Sequence, residues 1–194
     1  MKVGVLSVQG AVSEHMRHLE NCGVEAVAVK DSNALNAVSG LIIPGGESTT
    51  IGKLIELFGL AAVIRENSRQ GKLAVFGTCA GMVLMAKDIL DGIAGQPKLG
   101  IMDISVKRNA FGRQRESFET ELQFNAFEPP LTAVFIRAPI IVEPGPGVEV
   151  LATMDEGIVA ARQGNLLTTS FHPELTDDLR VHQYFVEMCE GCTG

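Results

Sequence analysis

Three short segments hold the residue types that acyl-transfer chemistry requires. Gly77-Thr78-Cys79-Ala80-Gly81 sets a cysteine between two glycines, after the apolar run Leu73 to Phe76 and before a helical stretch containing Val83, Leu84 and Met85. A nucleophile on a tight strand-to-helix turn needs small neighbours, because the backbone there is strained and closely packed, and glycine two residues to either side provides them. The amino end of the following helix adds a partial positive charge and free N–H groups, which stabilise a thiolate and an oxyanion. On these five residues alone, a buried structural cysteine between two turn glycines is an equal reading.

The second segment, Phe171-His172-Pro173-Glu174, follows another apolar run late in the chain. A thiol hydrolase needs an imidazole to take the thiol proton and return it to the leaving group, and a carboxylate to hold that imidazole in the right tautomer. His172 and Glu174 supply both, and Pro173 stiffens the backbone between them. A His-Pro-Glu by itself reads as a surface turn; beside the cysteine turn it reads as a base with its orienting group. The third segment is Pro44-Gly45-Gly46-Glu47-Ser48-Thr49. Its backbone can approach a ligand closely, so the N–H of Gly46, with that of Ala80 after the cysteine, suits an oxyanion hole. A phosphate-binding loop is excluded: five residues instead of four separate Gly46 from Gly52, and Leu54 stands where Ser or Thr is required.

These segments need a scaffold that brings them together. The first half alternates short apolar runs with helical patterns, which predicts an α/β fold with a parallel sheet and helices on its faces. Val3–Val8, Val24–Val29, Leu41–Ile43 and Leu73–Phe76 read as strands, with a helix over Val12–Cys22. A second helix carries Ile51, Leu54, Ile55 and Phe58 at i, i+3, i+4, i+7 and stops at Gly59, and a third runs to about Gln70. In the second half Ser117–Phe124 alternates, and Ala133–Ile136, Val148–Met154, Ile158–Arg162 and Leu166–Phe171 read as further strands. The last two flank Gln163-Gly164-Asn165 as a hairpin, and a final helix spans about Asp177–Cys189. The expectation is one domain over residues 1–194, a three-layer sandwich with a mostly parallel central sheet and an antiparallel extension.

Composition narrows the function classes. The 194 residues are 46% hydrophobic, with 16 Lys and Arg against 23 Asp and Glu and a net charge of −7, so attraction to nucleic acid or anionic lipid is not expected. The opening MKVGVLSVQG lacks the zones of a signal peptide and no apolar run approaches the ~18 residues of a membrane span, which points to the cytoplasm. Cys22, Cys79, Cys189 and Cys192 are too irregular for a disulfide framework. The lone Cys189-x-x-Cys192 lacks the second pair that a zinc site needs, and Cys22, at the end of a helical pattern, reads as a small buried hydrophobe.

In this order, PGGEST, GTCAG and FHPE resemble the class I glutamine amidotransferases, whose triad is Cys, His and Glu. Val8-Gln9-Gly10-Ala11, the run from Arg108 to Gln114 (RNAFGRQ), Phe135-Ile136-Arg137-Ala138-Pro139 and FHPELT at 171–176 narrow the resemblance to the glutaminase subunits of pyridoxal 5′-phosphate synthases, over nearly the whole chain. The resemblance implies that this chain releases ammonia from L-glutamine and a synthase subunit combines it with ribose 5-phosphate and glyceraldehyde 3-phosphate. It implies Cys79 as nucleophile, His172 as general base and acid, and Glu174 as the residue orienting it. Gly46, Glu47, Ser48, Arg108, Ile136 and Arg137 carry over as glutamine contacts, and Gln9 as a contact to the synthase subunit; no cofactor and no metal are expected. An arginine gripping the α-carboxylate makes independent sense, though either could equally be in a surface ion pair. Ile140 departs from the larger polar or aromatic residue that often follows the Arg-Ala-Pro triplet. A glutaminase of the imidazole glycerol phosphate type shares the cysteine turn and His-Pro-Glu, but RNAFGRQ and FIRAP argue against it. A non-catalytic partner-binding module would have no need of an intact Cys79, His172 and Glu174, and a stress-response cysteine hydrolase does not explain PGGEST and FHPE together.

Overall fold

Alternating side chains in the early strands fill both faces of a sheet. In β1 (Lys2–Leu6), Val3 and Val5 face one core and Leu6 the other, the pattern of a strand buried on both sides. The computed structural model describes residues 1–111 and 117–192. After β1 come α1 (Val12–Asn21), β2 (Glu25–Val29), α2 (Ser32–Asn36), β3 (Gly40–Ile43), α3 (Ser48–Leu57), α4 (Leu60–Arg69), β4 (Ala74–Thr78) and α5 (Ala80–Met85). The second half adds β5 (Ala86–Ile89), β6 (Met102–Lys107), β7 (Ser117–Leu122), β8 (Leu131–Ile136), β9 (Ile140–Pro144), β10 (Glu149–Met154), β11 (Gly157–Gln163), β12 (Leu166–Thr169) and α6 (Arg180–Glu190).

The main sheet runs β2-β1-β3-β4-β12-β11-β9-β6-β5, with β10 added on β11. From β2 to β12 every pairing is parallel, and beyond β12 the pairing turns antiparallel except between β5 and β6. The expected α/β sandwich with an antiparallel extension is therefore what the chain forms. One core packs Val5, Ile42 and Phe76 against Leu19 of α1 and Phe185 of α6. The other packs Leu6, Leu41, Ile43 and Val75 against Leu35, Ile51, Ile64 and Leu84 of α2 to α5. The β7–β8 hairpin forms a separate two-stranded sheet. Its Phe118 stacks on Phe135 at 4.9 Å, and Phe135 meets Phe171 edge-on at 5.8 Å, fixing the hairpin beside the end of β12.

Several boundaries differ from the sequence expectation. The first strand ends at Leu6, not Val8, because the Ser7 hydroxyl donates to the Val5 carbonyl at 3.0 Å and turns the chain. The second helix starts at Ser48, three residues before its first periodic apolar residue, because the Glu47 side chain caps it. The last helix starts at Arg180: Pro173–Leu175 form a 3-10 turn, and Asp178 accepts from the Arg180 N–H at 3.0 Å. The hairpin turn is two residues, Gly164-Asn165, with Gln163 paired to Leu166. Strands β5, β6 and β9 and helix α2 were not expected. Cys189 and Cys192 lie in the Phe185 core, where burial pushes both thiols up, and Cys22 is half-buried against that core. Among the described residues no helix is long and apolar enough to cross a membrane.

The cysteine turn is packed as tightly as its glycines allow. A Cβ on Gly77 would lie 2.5 Å from the Gly81 carbonyl carbon, and one on Gly81 would lie 2.3 Å from the Ile43 carbonyl oxygen. Backbone cannot yield as a side-chain tip can, so Gly77→Ala is expected to lower the free energy of unfolding by about 1–3 kcal/mol, read as a lower midpoint in urea denaturation.

Candidate active site

Parallel pairing gathers the chemistry at one end of the sheet. Thr169 pairs with Thr78 and Gly77 with Ile43, so the chain leaves β3, β4 and β12 side by side at their carboxyl ends. This is where open α/β sheets hold their ligands. Residues 44–47 follow β3, Cys79 follows β4 and His172 follows β12. Two backbone bonds complete the arrangement: Cys79 N–H donates to the Thr169 carbonyl and His172 N–H to the Val134 carbonyl, both at 2.8 Å. Gly45 lies so close to the imidazole that a Cβ there would stand 2.4 Å from His172 Cε1.

Cys79 sits between β4 and α5 with φ 48° and ψ −99°, a strained conformation for a residue with a side chain. The close packing of Gly77, Gly81 and Ile43 compels that conformation and leaves the thiol at the cleft, 9% exposed. Its Sγ–H points to the Ile136 carbonyl at 3.7 Å, and the sulfur also interacts with His172. Nδ1 of His172 meets Oε1 of Glu174 at 2.8 Å, and the Glu174 carboxylate is 1% exposed. Burial disfavours the imidazolium, but the hydrogen bonds it donates to Cys79 and Glu174 and the charges of both outweigh it and raise the pKa of His172 to about 10.

A cleft of about 960 Å³ opens over these groups. It is lined by every residue the sequence assigned to catalysis, glutamine or the oxyanion: Gly46, Glu47, Ser48, Cys79, Ala80, Arg108, Ile136, Arg137, His172 and Glu174. Ala80 opens α5, so its N–H belongs to the first helical turn that lacks intrahelical acceptors. The Glu47 carboxylate accepts from Thr49 N–H at 2.9 Å and from Thr50 N–H and Oγ1, both at 2.7 Å. Burial works to raise its pKa, but those bonds prevail and hold it at about 2. Glu47 N–H in turn donates to Oε1 of the exposed Gln9 at 3.1 Å, so Gln9 touches the glycine loop directly. Arg108 is tied to Asp91 through its backbone N–H at 3.0 Å and its Nη2 at 2.9 Å to the Asp91 carbonyl. Arg137 is exposed and has φ 45°.

The cleft also takes in Ala11, Gly45, Val83, Asn109, Phe111, Pro139 and Leu175. None was singled out individually as a site residue from sequence, although Asn109 with φ 47° is a residue type that tolerates the left-handed region. Residues 112–114 of the RNAFGRQ run lie outside the described residues. Sequence reading also missed His15, whose Nε2 lies 3.5 Å from Glu174 Oε2. Val12, His15, Met16 and Leu19 sit at i, i+3, i+4, i+7, a signal that His15 belongs to the buried face of α1.

A model of the SNO glutamine amidotransferase family matches residues 5–191. The chain belongs to this family. It is 58% identical over 190 residues to the pyridoxal 5′-phosphate synthase subunit PdxT of Niallia circulans, covering 97% of each chain. It is 56% identical to the protein of the same name from Pelotomaculum thermopropionicum, covering 100% of both. A crystal structure of a glutamine amidotransferase superposes with a TM-score of 0.92 at 48% identity, over 97% of this chain and 98% of that one. A putative GMP synthase protein from Thermoplasma acidophilum, 18% identical with a TM-score of 0.68 over 99% of this chain and 94% of that one, shares the fold. The SNO family is thus matched across both halves of the sheet.

The raised His172 has a thermodynamic consequence. A basic group whose pKa is higher folded than unfolded stabilises the folded state fully below its unfolded value near 6.5 and loses that contribution as pH rises through about 10. The difference in melting temperature between the wild type and His172→Gln is therefore expected to be largest near pH 6 and to shrink towards pH 10, measured by thermal scans across that range.

Proposed function

We propose that this chain is the glutaminase subunit of a pyridoxal 5′-phosphate synthase, hydrolysing L-glutamine to L-glutamate and passing the ammonia to a synthase subunit. The observation that carries the reading is the buried line from Cys79 through His172 to Glu174 at the floor of the cleft. The name borne by relatives more than 50% identical over the full chain supports the pathway. The cytoplasm, reducing enough to keep four free thiols, is the compartment we assign.

In the mechanism, the Cys79 sulfur attacks the side-chain amide carbon of glutamine, and its proton resides on His172. The carbonyl oxygen becomes an oxyanion facing the N–H groups of Gly46 and Ala80. His172 gives its proton to the departing nitrogen, the C–N bond breaks, and a glutamyl thioester remains with free ammonia. Water then adds to the thioester with His172 as base, and the C–S bond breaks to release glutamate and restore the thiol. Glu174, bonded to Nδ1, keeps Nε2 towards the sulfur and stabilises the imidazolium.

Arg108, held in place by Asp91, and Arg137 both line the cleft, and we assign the grip on the substrate α-carboxylate to these arginines. Glu47 serves through its backbone, since its carboxylate caps α3. Gln9 joins the synthase interface to the oxyanion loop: it is exposed, and its amide oxygen holds the N–H next to Gly46. A partner that seats on Gln9 therefore reaches the loop without entering the cleft. Ammonia in bulk water at neutral pH is mostly ammonium and no longer nucleophilic, which favours release only against a partner that receives it.

The test is glutamate release from glutamine by the purified chain, alone and with a pyridoxal 5′-phosphate synthase subunit. Activity is expected to rise sharply with that subunit, and Cys79→Ala to reduce kcat by roughly 10⁴-fold or more. Activity indifferent to the subunit would move the enzyme to another synthase, and activity absent in both conditions would leave only a binding role.

A further inference from the structure

All four histidines of the chain lie on one line of buried groups, and the mechanism above uses one of them. His172 Nδ1 meets Glu174 Oε1 at 2.8 Å. On the far side of that carboxylate, His15 Nε2 stands 3.5 Å from Glu174 Oε2, and Oε2, though buried, makes no hydrogen bond of ordinary geometry among the described residues. His15 Nδ1 meets His182 Nε2 at 2.9 Å, and His182 Nδ1 meets His18 Nδ1 at 3.2 Å. His15 and His182 are 0% exposed and His18 is 2% exposed.

A chain of neutral imidazoles can run in two directions, and only one of them offers the buried Glu174 Oε2 a donor; the other would instead take a proton from Thr78 Oγ1. A carboxylate accepts and does not donate, so in the direction that serves it His15 must carry its proton on Nε2, leaving Nδ1 as acceptor. His182 must then donate from Nε2 and accept at Nδ1, and His18 must donate from Nδ1. Each ring thus fixes the tautomer of the next, and every donor points towards Glu174. Burial, with neighbouring histidines, holds His15 well below its ordinary pKa, and burial holds His182 at about 3, so both rings stay neutral. His15 Nε2 also lies 3.5 Å from Thr78 Oγ1, in the residue before Cys79.

We propose that His15 is a positioning residue of the glutaminase reaction: its Nε2–H holds the second oxygen of Glu174, and His182 and His18 keep His15 in the tautomer that does so. The proposal rests on the glutaminase reading. A carboxylate held by His172 alone is free to turn about its Cγ–Cδ bond, and a buried carboxylate oxygen without a donor is costly. A donor on the far side locks the plane of the carboxylate and hence the aim of His172.

Two measurements test this. Nitrogen-15 spectra of the wild-type imidazoles at pH 7 should show neutral Nε2–H tautomers for His15 and His182 and a neutral Nδ1–H tautomer for His18. Glutaminase assays with the synthase subunit should show kcat for His15→Leu lowered about tenfold, KM within about twofold of wild type, and most of the loss recovered by His15→Gln, whose amide places a donor near Nε2. An Nδ1–H or cationic His15 overturns the proposal, as does equal activity of the Leu and Gln variants beside an active wild type. A wild type inactive with and without the subunit overturns the glutaminase reading instead. The spectra need no substitution, so a variant that fails to fold does not remove the test.

Discussion

The pairing of β12 beside β4 is the constraint on which the site depends. β12 is parallel to β4 on one side and antiparallel to β11 on the other. It therefore closes the parallel half of the sheet and opens the antiparallel half. Because it points the same way as β4, the residue after its end reaches the level of Cys79. A slip of one residue in that register would turn every side chain of the strand to the opposite face. Thr168 Oγ1, donating to the Gly77 carbonyl at 2.9 Å, adds a side-chain bond that pins the register.

Around that junction the fold solves two local problems of burial. The strained turn at Cys79 is held because Gly77 and Gly81 pack backbone against backbone and against Ile43. The Glu174 carboxylate, taken out of water, is hydrogen-bonded to His172 through Oε1, with His15 Nε2 3.5 Å from Oε2. A buried acid without such partners would be neutral or destabilising, and a neutral acid would not hold His172 as an imidazolium. The β7–β8 hairpin contributes from outside the main sheet: its Val134 and Ile136 carbonyls receive His172 N–H and the Cys79 thiol.

Much of this was legible in the residues. The parallel half showed itself because strands buried on both faces read as unbroken apolar runs, and the cysteine turn and His-Pro-Glu are local motifs. What escaped had physical reasons. β5 carries exposed Lys87 and Asp88, and α2 is only five residues long, held by the Asp31 cap. β9 contains Val142 and Glu143 on the surface and ends in Pro144, which masks it as a loop. β6 did alternate, with Met102, Ile104 and Val106 buried, and that period was there to be read. The role of Glu47 as a cap hid behind the functional reading of its loop. The histidine line was invisible for a different reason: His15 and His182 are 167 positions apart, and no short-range pattern joins them.

The distance in sequence between the two halves of the site has a bearing on how the protein is made. Cys79 and its turn belong to the early parallel strands, whereas β12, His172 and Glu174 follow about ninety residues later. Contacts that span such separations form late, after the local ones. On the ribosome the nucleophile is thus synthesised, and its sheet partly assembled, well before any base exists to take its proton. The thiol stays chemically idle through most of synthesis, and reactivity arrives with the closing strand.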